Sequence, residues 1–184
     1  MPRSREQNAQ IREESKRKML EKSALFFAER GLQGTKIGDL AKYVGMAQGS
    51  LYTYFNSKEK MYDEIIDFSC EKNGTDEIRK ISEMDIPPIR KLRYISDYIL
   101  KNMASEKMYC AYMMLSLEKR NDALLSILMD IVKTGQKEGS FAKGNVEKIA
   151  DYYLSVVYIY CKKKLHDPSI SLITSEELER VVRG

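Results

Sequence analysis

Residues 35–59 read TKIGDLAKYVGMAQGSLYTYFNSKE, and this stretch decides the fold. Its first apolar residues have the i, i+3, i+4, i+7 spacing of one helix face. They are Ile37, Leu40, Ala41 and Val44. Gly45 stands one residue beyond them, where a helix commonly ends in a left-handed conformation. The pattern predicts a compact amphipathic helix followed by a tight turn.

A second short helix is predicted from Gln48 to Phe55, with Leu51 buried against the first. The Ser57 hydroxyl is then placed to cap a third helix, and Thr35 occupies the N-cap position of the first. The stretch is therefore a helix-turn-helix unit. Because such a unit is too small to be stable alone, we expect a further helix to pack across it.

Helical periodicity continues on both sides of this unit, whereas alternating runs of Val, Ile and Thr are missing. One long helix is expected over 4–30, stopped by Gly31, and another over 58–81, loosened near Asn73-Gly74. After Pro87-Pro88 we expect five more helices, over 88–104, 106–118, 121–138, 146–165 and 175–183. The sequence predicts an all-α chain of about nine helices, with one domain over 1–60 and another over 61–184.

The composition bears on the setting in which the chain works. Uncharged stretches reach only about ten residues, whereas a membrane-spanning helix needs roughly 20 apolar ones. The amino-terminal residues lack the apolar segment of a secretory signal. Cys70, Cys110 and Cys161 are scattered without metal-ligand spacing. We therefore expect no disulfide, no metal site and a reducing cytoplasm.

The positive charge is confined to the amino-terminal third. Residues 1–60 hold 12 Lys and Arg against 7 Asp and Glu, a balance of +5. Residues 61–184 hold 19 against 20, a balance of −1. An excess confined to one part is typical of a chain that binds a polyanion there, and the alternative is a solvated face with no partner.

The helix-turn-helix stretch resembles the TetR (tetracycline repressor) family of bacterial transcriptional regulators. The residues that carry the resemblance are Thr35, Ile37, Asp39-Leu40-Ala41, Val44-Gly45-Met46-Ala47, Gly49, Leu51-Tyr52, Tyr54-Phe55 and Ser57-Lys58-Glu59, with Ala24-Leu25-Phe26 and Gly31 upstream. Ala47 departs from the family pattern, which usually has Ser or Thr there as the cap of the recognition helix. The resemblance implies an amino-terminal three-helix DNA-binding domain followed by a helical ligand-binding and dimerisation domain.

Within this unit the second helix is expected to enter the DNA major groove, with Ala47 leading. Gln48 can pair with adenine, Ser50 can serve donor or acceptor edges, and Gly49 lets the backbone approach the duplex. Tyr52 is expected to lie along the groove wall.

Four residues are expected to bind phosphates: Thr35, Lys36, Tyr54 and Lys58. Alternatives stay open for several of the candidates. Tyr52 and Tyr54 are also explained as packing residues, Lys58 as a solvated residue at a helix start, and Thr35 as a cap alone.

The resemblance also implies a homodimer formed through the last two long helices. The apolar stripe expected at that interface consists of Ile149, Tyr153, Val156, Val157 and Tyr160. A small apolar or aromatic effector is expected in the carboxy-terminal domain, with these candidate contacts: Tyr94, Tyr98, Met103, Tyr109, Tyr112, Met113 and Tyr152. The alternative is that these Tyr and Met residues only fill a helical core.

Three functions remain after the sequence is considered. The leading one is a repressor that binds a palindromic operator as a homodimer and is released by a small molecule, without a cofactor. The second function is DNA binding without an effector, by a constitutive regulator or an activator. A third is an enzyme or small-molecule binding protein with an incidental helix-turn-helix. The lack of a catalytic constellation argues against an enzyme.

Overall fold

The computed structural model describes residues 5–119 and 122–183, and the regular elements in these ranges are all α-helices. The predicted all-α fold is confirmed. Two predicted helix starts, Ser4 and Asn121, and the last residue, Gly184, lie outside the described residues. The ten helices are α1 Arg5–Gly34, α2 Ile37–Val44, α3 Gln48–Tyr52, α4 Lys58–Lys72, α5 Thr75–Ser82, α6 Pro88–Ser105, α7 Lys107–Glu118, α8 Asp122–Lys137, α9 Val146–His166 and α10 Ser175–Arg183.

The first three helices form the predicted helix-turn-helix unit. Gly45 has φ 79°, and the N–H of Met46 donates to the main-chain oxygen of Ala41 at 2.9 Å, which closes α2 in a Schellman-type end. Helix α1 packs across α2 and α4 and supplies the fully buried Phe27 to the core. At Gly31 the φ of 68° breaks its helical geometry, as the sequence predicts.

Two predicted helices differ from the observed ones. Helix α3 ends at Tyr52, three residues early, in a turn where the Thr53 hydroxyl donates to the main-chain oxygen of Ser50 at 2.7 Å. The predicted helix over 58–81 is two helices, separated at Asn73 and Gly74. The split accounts for a tenth helix where the sequence predicts about nine.

Asn73 explains why the helix divides. It is fully buried, and its side-chain oxygen accepts hydrogen bonds from the N–H and the hydroxyl of Thr75. Its side-chain amide donates to the hydroxyl of Ser116 on α7 at 2.9 Å. Gly74 has φ 84°, and a Cβ there would lie 2.6 Å from the hydroxyl of Tyr98. Glycine is therefore required at this bend.

Helix α7 is the centre of the larger part of the chain. It packs against α1, α4, α6 and α9, and all of its residues from Tyr109 to Ser116 are buried. Helix α10 closes the other side on α6 and α9, where the buried carboxylate of Glu179 pairs with Arg93. The predicted domain boundary between residues 60 and 61 falls within α4, which packs on both α1 and α7. None of the helices among the described residues has the length and apolar character that crossing a membrane requires.

Candidate nucleic-acid interface

Helix α3 is held by its apolar side and presents its other side to solvent. Leu51 is 2% exposed and packs in the core with Val44 of α2 and with Phe55. On the opposite side Gln48 and Gly49 are exposed, and Tyr52 is 48% exposed. Ser50 is half-buried beside them. Ala47 is the N-cap residue of α3, and it forms no side-chain cap because its methyl group cannot accept a hydrogen bond.

The fold does not require a glycine at position 49. A Cβ built on Gly49 meets no atom within 4 Å, and its φ is not in the left-handed region. Gly45, four residues earlier, is required because its φ is +79°. A helical glycine without an internal reason fits a surface that something outside the chain approaches closely.

Gln48 leans on the neighbouring helix. Its side-chain oxygen lies 3.5 Å from the position that a Cβ would occupy on Gly38 of α2. Lys36, at the start of α2, is exposed and has no ion pair among the residues that the structure describes. The exposed side chains of this surface therefore include the amide of Gln48, the aromatic ring of Tyr52 and the ammonium group of Lys36.

The predicted N-cap at Thr35 is wrong. The N-cap residue of α2 is Lys36, which has extended backbone and forms no side-chain cap. Thr35 is 2% exposed, and its hydroxyl donates to the main-chain oxygen of Gly31 at 2.8 Å. Because Gly31 leaves helical geometry, the hydroxyl of Thr35 satisfies a carbonyl at the broken end of α1. A buried and occupied hydroxyl does not fit the expected phosphate contact.

Lys58 has an internal role that the sequence does not reveal. Its ammonium group donates to the main-chain oxygens of Leu32 at 2.9 Å and of Thr35 at 3.2 Å. The Ser57 hydroxyl caps the same helix as predicted, accepting from the N–H of Lys60 at 3.1 Å. Lys58 thus joins the start of α4 to the end of α1, and one of its three N–H donors remains for another partner.

Tyr54 and Tyr52 have different surroundings. Tyr54 is half-buried beneath the guanidinium of Arg12, whose carbon lies 5.5 Å from the ring centroid. Arg12 also donates to the main-chain oxygen of Thr53 at 2.6 Å. Packing therefore accounts for Tyr54, whereas Tyr52 projects into solvent. The sequence reasoning missed Arg12, although it lies four residues before Lys16 and seven after Arg5, on one helix face.

Residues 19–65, which include α2, α3 and the start of α4, match the family described as bacterial regulatory proteins, tetR family. The match is confined to this part of the chain. The transcriptional repressor KstR2 of Rhodococcus jostii (strain RHA1) is 50% identical over 48 residues, which are 26% of this chain and 24% of that repressor. This chain therefore spans about a quarter of the length of that curated relative.

Solved structures share the fold over nearly the whole chain. AibR in complex with isovaleryl coenzyme A and operator DNA has a TM-score of 0.69 at 16% identity, covering 90% of this chain and 94% of that one. The ketosteroid regulator KstR2 of Mycobacterium tuberculosis has a TM-score of 0.62 at 22% identity, covering 90% of each chain. The described helices outside residues 19–65 therefore share the fold of these two proteins.

The predicted effector residues do not line one pocket. Tyr94 and Tyr152 are on the surface, 41% and 58% exposed, on α6 and α9. Tyr112 packs edge-on against Phe68 of α4, with 5.8 Å between ring centroids, and Met113 is fully buried. The three that lie together are Tyr98, Met103 and Tyr109, around the junction of α6 and α7.

Tyr109 is the unusual member of this group. Its ring stands edge-on to Tyr98, with 6.4 Å between centroids, and its hydroxyl is buried with no hydrogen-bond partner among the described residues. Burial strongly raises the pKa of Tyr109, so the hydroxyl stays protonated at neutral pH. A buried hydroxyl without a partner costs about 1–3 kcal/mol, which a ligand or water that bonded to it would recover.

The predicted dimer stripe divides between two environments. Tyr153 and Val157 are 0% and 2% exposed, and the Tyr153 hydroxyl is hydrogen-bonded to Ser96 at 2.8 Å within the core. The prediction that Tyr153 and Val157 lie at a dimer interface is wrong, because both side chains point into the core of the chain. Ile149, Val156 and Tyr160 are half-buried on the flank of α9. The face of α9 opposite the core instead exposes the large apolar residues Tyr152 and Ile159.

Two cysteines that are distant in the sequence meet between α7 and α9. Cys110 and Cys161 are both fully buried, and the thiol of Cys110 donates to the main-chain oxygen of Met103 at 3.6 Å. The contact with Cys110 raises the pKa of Cys161, and burial raises it further. Among the described residues, no three His, Cys, Asp or Glu side chains are grouped as ligands of a metal ion would be.

Proposed function

We propose that this protein is a TetR-family transcriptional repressor that binds a palindromic DNA operator as a homodimer and is released by a small molecule. The observation that carries the proposal is the exposed face of α3, where Gln48, Gly49 and Tyr52 project from a helix fixed by buried Leu51. The +5 balance of residues 1–60 supplies attraction for DNA. Such a regulator acts in the bacterial cytoplasm and needs no catalytic residue.

In this proposal the contacts divide between bases and phosphates. Gln48 leaves its position over Gly38 and reads a base edge, with Ser50 beside it and Tyr52 along the groove wall. Ala47 and Gly49 let the backbone approach the duplex. Lys36 is the main phosphate contact, and Lys58 contributes through its remaining donor.

The homodimer would use the outer face of α9. Tyr152 and Ile159 are exposed apolar residues two turns apart on this face, with half-buried Val156 between them. Ile149 and Tyr160 flank the same helix. A symmetric contact through this face would place two copies of α3 one turn of DNA apart, roughly 34–36 Å.

An effector would act through α7, because this helix is joined directly to α4. The carboxylate of Glu118 accepts a hydrogen bond from Tyr62, and Lys119, next in the chain, pairs with Asp63. A ligand that displaced α7 would therefore shift α4, which directly follows the DNA-binding unit and is joined to it by Lys58.

For the effector site we propose the region of Tyr98, Met103 and Tyr109. The unpartnered hydroxyl of Tyr109 would bond to a polar group of the ligand, and the surrounding apolar side chains favour an apolar or aromatic body. AibR, whose structure holds isovaleryl coenzyme A and operator DNA, has the same fold, which supports a small-molecule effector for this chain.

Selection of bound sequences from random duplex DNA by the purified protein tests the proposal. We expect recovery of a palindrome bound by dimers, with affinity that falls steeply as salt rises. A variant that combines Lys36→Ala, Gln48→Ala and Tyr52→Ala keeps the core residues and should recover no sequence. Failure of the folded, dimeric wild-type protein to enrich any sequence contradicts the proposal.

Release by an effector is tested next with the recovered operator. Compounds that lower operator affinity of the wild-type protein should act more weakly on Tyr109→Phe, which lacks the proposed contact atom. Binding of the operator that no small apolar or aromatic compound changes would instead favour a constitutive regulator.

A further inference from the structure

The first three turns of α1 make almost no contact with the rest of the chain. Every residue from 5 to 14 is exposed, whereas the buried residues of α1 begin at Met19. An isolated helix of this length is only marginally stable in water, so this part forms as an extension of the packed half. The exposed surface of this part of α1 is therefore available to an external partner.

One face of this extension is cationic. Arg5 and Arg12 are seven residues apart, so they lie about 20° from each other around the helix axis. Asn8 lies between them, and Lys16 is one further turn along. The acidic residue Glu13 is turned about 100° from Arg12, so it does not lie in this stripe. The stripe therefore favours an anionic partner.

Two contacts show which way the stripe faces. Arg12 donates to the main-chain oxygen of Thr53 at 2.6 Å, immediately after the last residue of α3. Lys16 pairs with Glu64 at 2.5 Å and lies 5.5 Å from the ring centroid of Phe55. The basic stripe is therefore on the side of α1 that adjoins the end of α3. Arg5 extends it by seven residues, or about 10 Å along the axis.

We infer that the first turns of α1 are a second DNA-binding element, which contacts phosphates beside the base pairs that α3 reads. This inference rests on the proposed function. Arg5, with Asn8, contacts the phosphates, and Arg12 is a positioning residue that holds the extension against the end of α3. Double-stranded DNA is the anionic partner because the stripe continues directly from the exposed face of α3. The contact adds affinity without base preference.

Arg5→Gln tests the element, with Arg183→Gln as the matched control. Both arginines are exposed and have no ion pair among the described residues, and Arg183 lies on α10, remote in sequence from the DNA-binding unit. The measurement is anisotropy of labelled duplexes over a salt series, with the selected operator in long flanks and trimmed to the half-sites. On the long duplex we expect Arg5→Gln to reduce the slope of log K against log salt by about one unit. The preference among operator base pairs should not change.

The trimmed duplex distinguishes this role from a structural one. There, Arg5→Gln and the wild-type protein should bind equally, since the flanking phosphates are gone. Arg12→Gln should lower the slope only on the long duplex, and Arg12→Lys should restore part of it. Equal slopes for wild type and Arg5→Gln on the long duplex would overturn the inference alone. Absence of any DNA binding by the wild-type protein would instead contradict the proposed function.

Discussion

The ammonium nitrogen of Lys58 lies 2.9 Å from the main-chain oxygen of Leu32 and donates a hydrogen bond to it. A second bond, of 3.2 Å, runs to the main-chain oxygen of Thr35. The first carbonyl lies in the last turn of α1, just after its helical geometry is broken at Gly31, and the second lies between α1 and α2. One side chain therefore fixes the connection that sets the orientation of α2.

Lys58→Ala should lower the stability of the protein as well as its affinity for DNA. Removing the ammonium takes one hydrogen bond from the partly buried carbonyl of Thr35 and leaves that of Leu32 with only the 3.4 Å bond from the N–H of Thr35, at a cost of about 1–2 kcal/mol in the free energy of unfolding. Urea unfolding followed by circular dichroism measures this change in the free energy of unfolding. Lys36→Ala is the control, because Lys36 is exposed and should change stability little. Equal unfolding midpoints for wild type and Lys58→Ala would show that the two hydrogen bonds contribute nothing.

Gln48→Ala and Lys36→Ala should weaken DNA binding in different ways. Loss of the Gln48 amide should relax preference at particular base pairs, by about 1–3 kcal/mol at each. Loss of the Lys36 charge should weaken binding to all sequences and reduce the salt slope by about one unit. Competition with operator variants at each base pair separates the two effects. Identical profiles for both variants would show that this division of roles is wrong.

Helix positions were predictable because apolar periodicity and Gly or Pro breaks are local properties. The helix expected over 88–104 is observed at Pro88–Ser105, and the one expected over 146–165 at Val146–His166. Their ends differ by one residue. The division of the helix expected over 58–81 was less visible, because it depends on the buried contact between Asn73 and Ser116, 43 residues apart.

Side-chain roles were harder to predict, because they depend on tertiary contacts. Helix α9 has apolar residues on more than one face, and periodicity does not show which face packs inward. Tyr153 points into the core while the adjacent Tyr152 points to solvent. Thr35 has the sequence context of a cap, yet the φ of Gly31 leaves a carbonyl that its hydroxyl binds instead. The exposed Gln48 and Tyr52 were predictable because Leu51 had to face the core.

Introduction of a negative charge on the outer face of α9 should dissociate the proposed homodimer. Ile159→Glu introduces a carboxylate at a position that is 48% exposed in the single chain and would be buried between two copies. Size-exclusion chromatography with light scattering should show a shift to monomer at micromolar concentration. Lys101→Glu, on the exposed surface of α6, is the control and should remain dimeric. A dimer unaffected by Ile159→Glu would place the interface on another face.

The free energy of unfolding should fall above pH 10, because the folded protein holds tyrosine protons that the unfolded chain releases. Burial raises the pKa of Tyr112 to about 12, and it also raises the pKa of Tyr62 and Tyr153. A raised pKa stabilises the fold fully below the ordinary value of about 10, and this stabilisation is lost as pH rises towards the folded value.

Tyr112→Phe isolates one part of this effect. The variant should match the wild type at pH 8 and be more stable by about 1 kcal/mol at pH 11, since it has no phenol to ionise on unfolding. Urea unfolding at both pH values measures the difference. Tyr52→Phe is the control, because Tyr52 is exposed and should change neither value. A constant difference between wild type and Tyr112→Phe across this range would contradict the effect of burial.

Gly49→Ala should stabilise the free protein and weaken its binding to DNA. The backbone at this position is helical and a Cβ meets no atom within 4 Å, so alanine gains about 0.5–1 kcal/mol in the free energy of unfolding. On DNA the added methyl group would lie where the backbone approaches the duplex, so affinity should fall at least several-fold. Gly45→Ala is the contrasting variant, since its φ of +79° makes alanine destabilising. Thermal unfolding and anisotropy on the selected operator measure the two quantities. If Gly49→Ala bound the operator as tightly as the wild type, the close approach of α3 to DNA at this residue would be wrong.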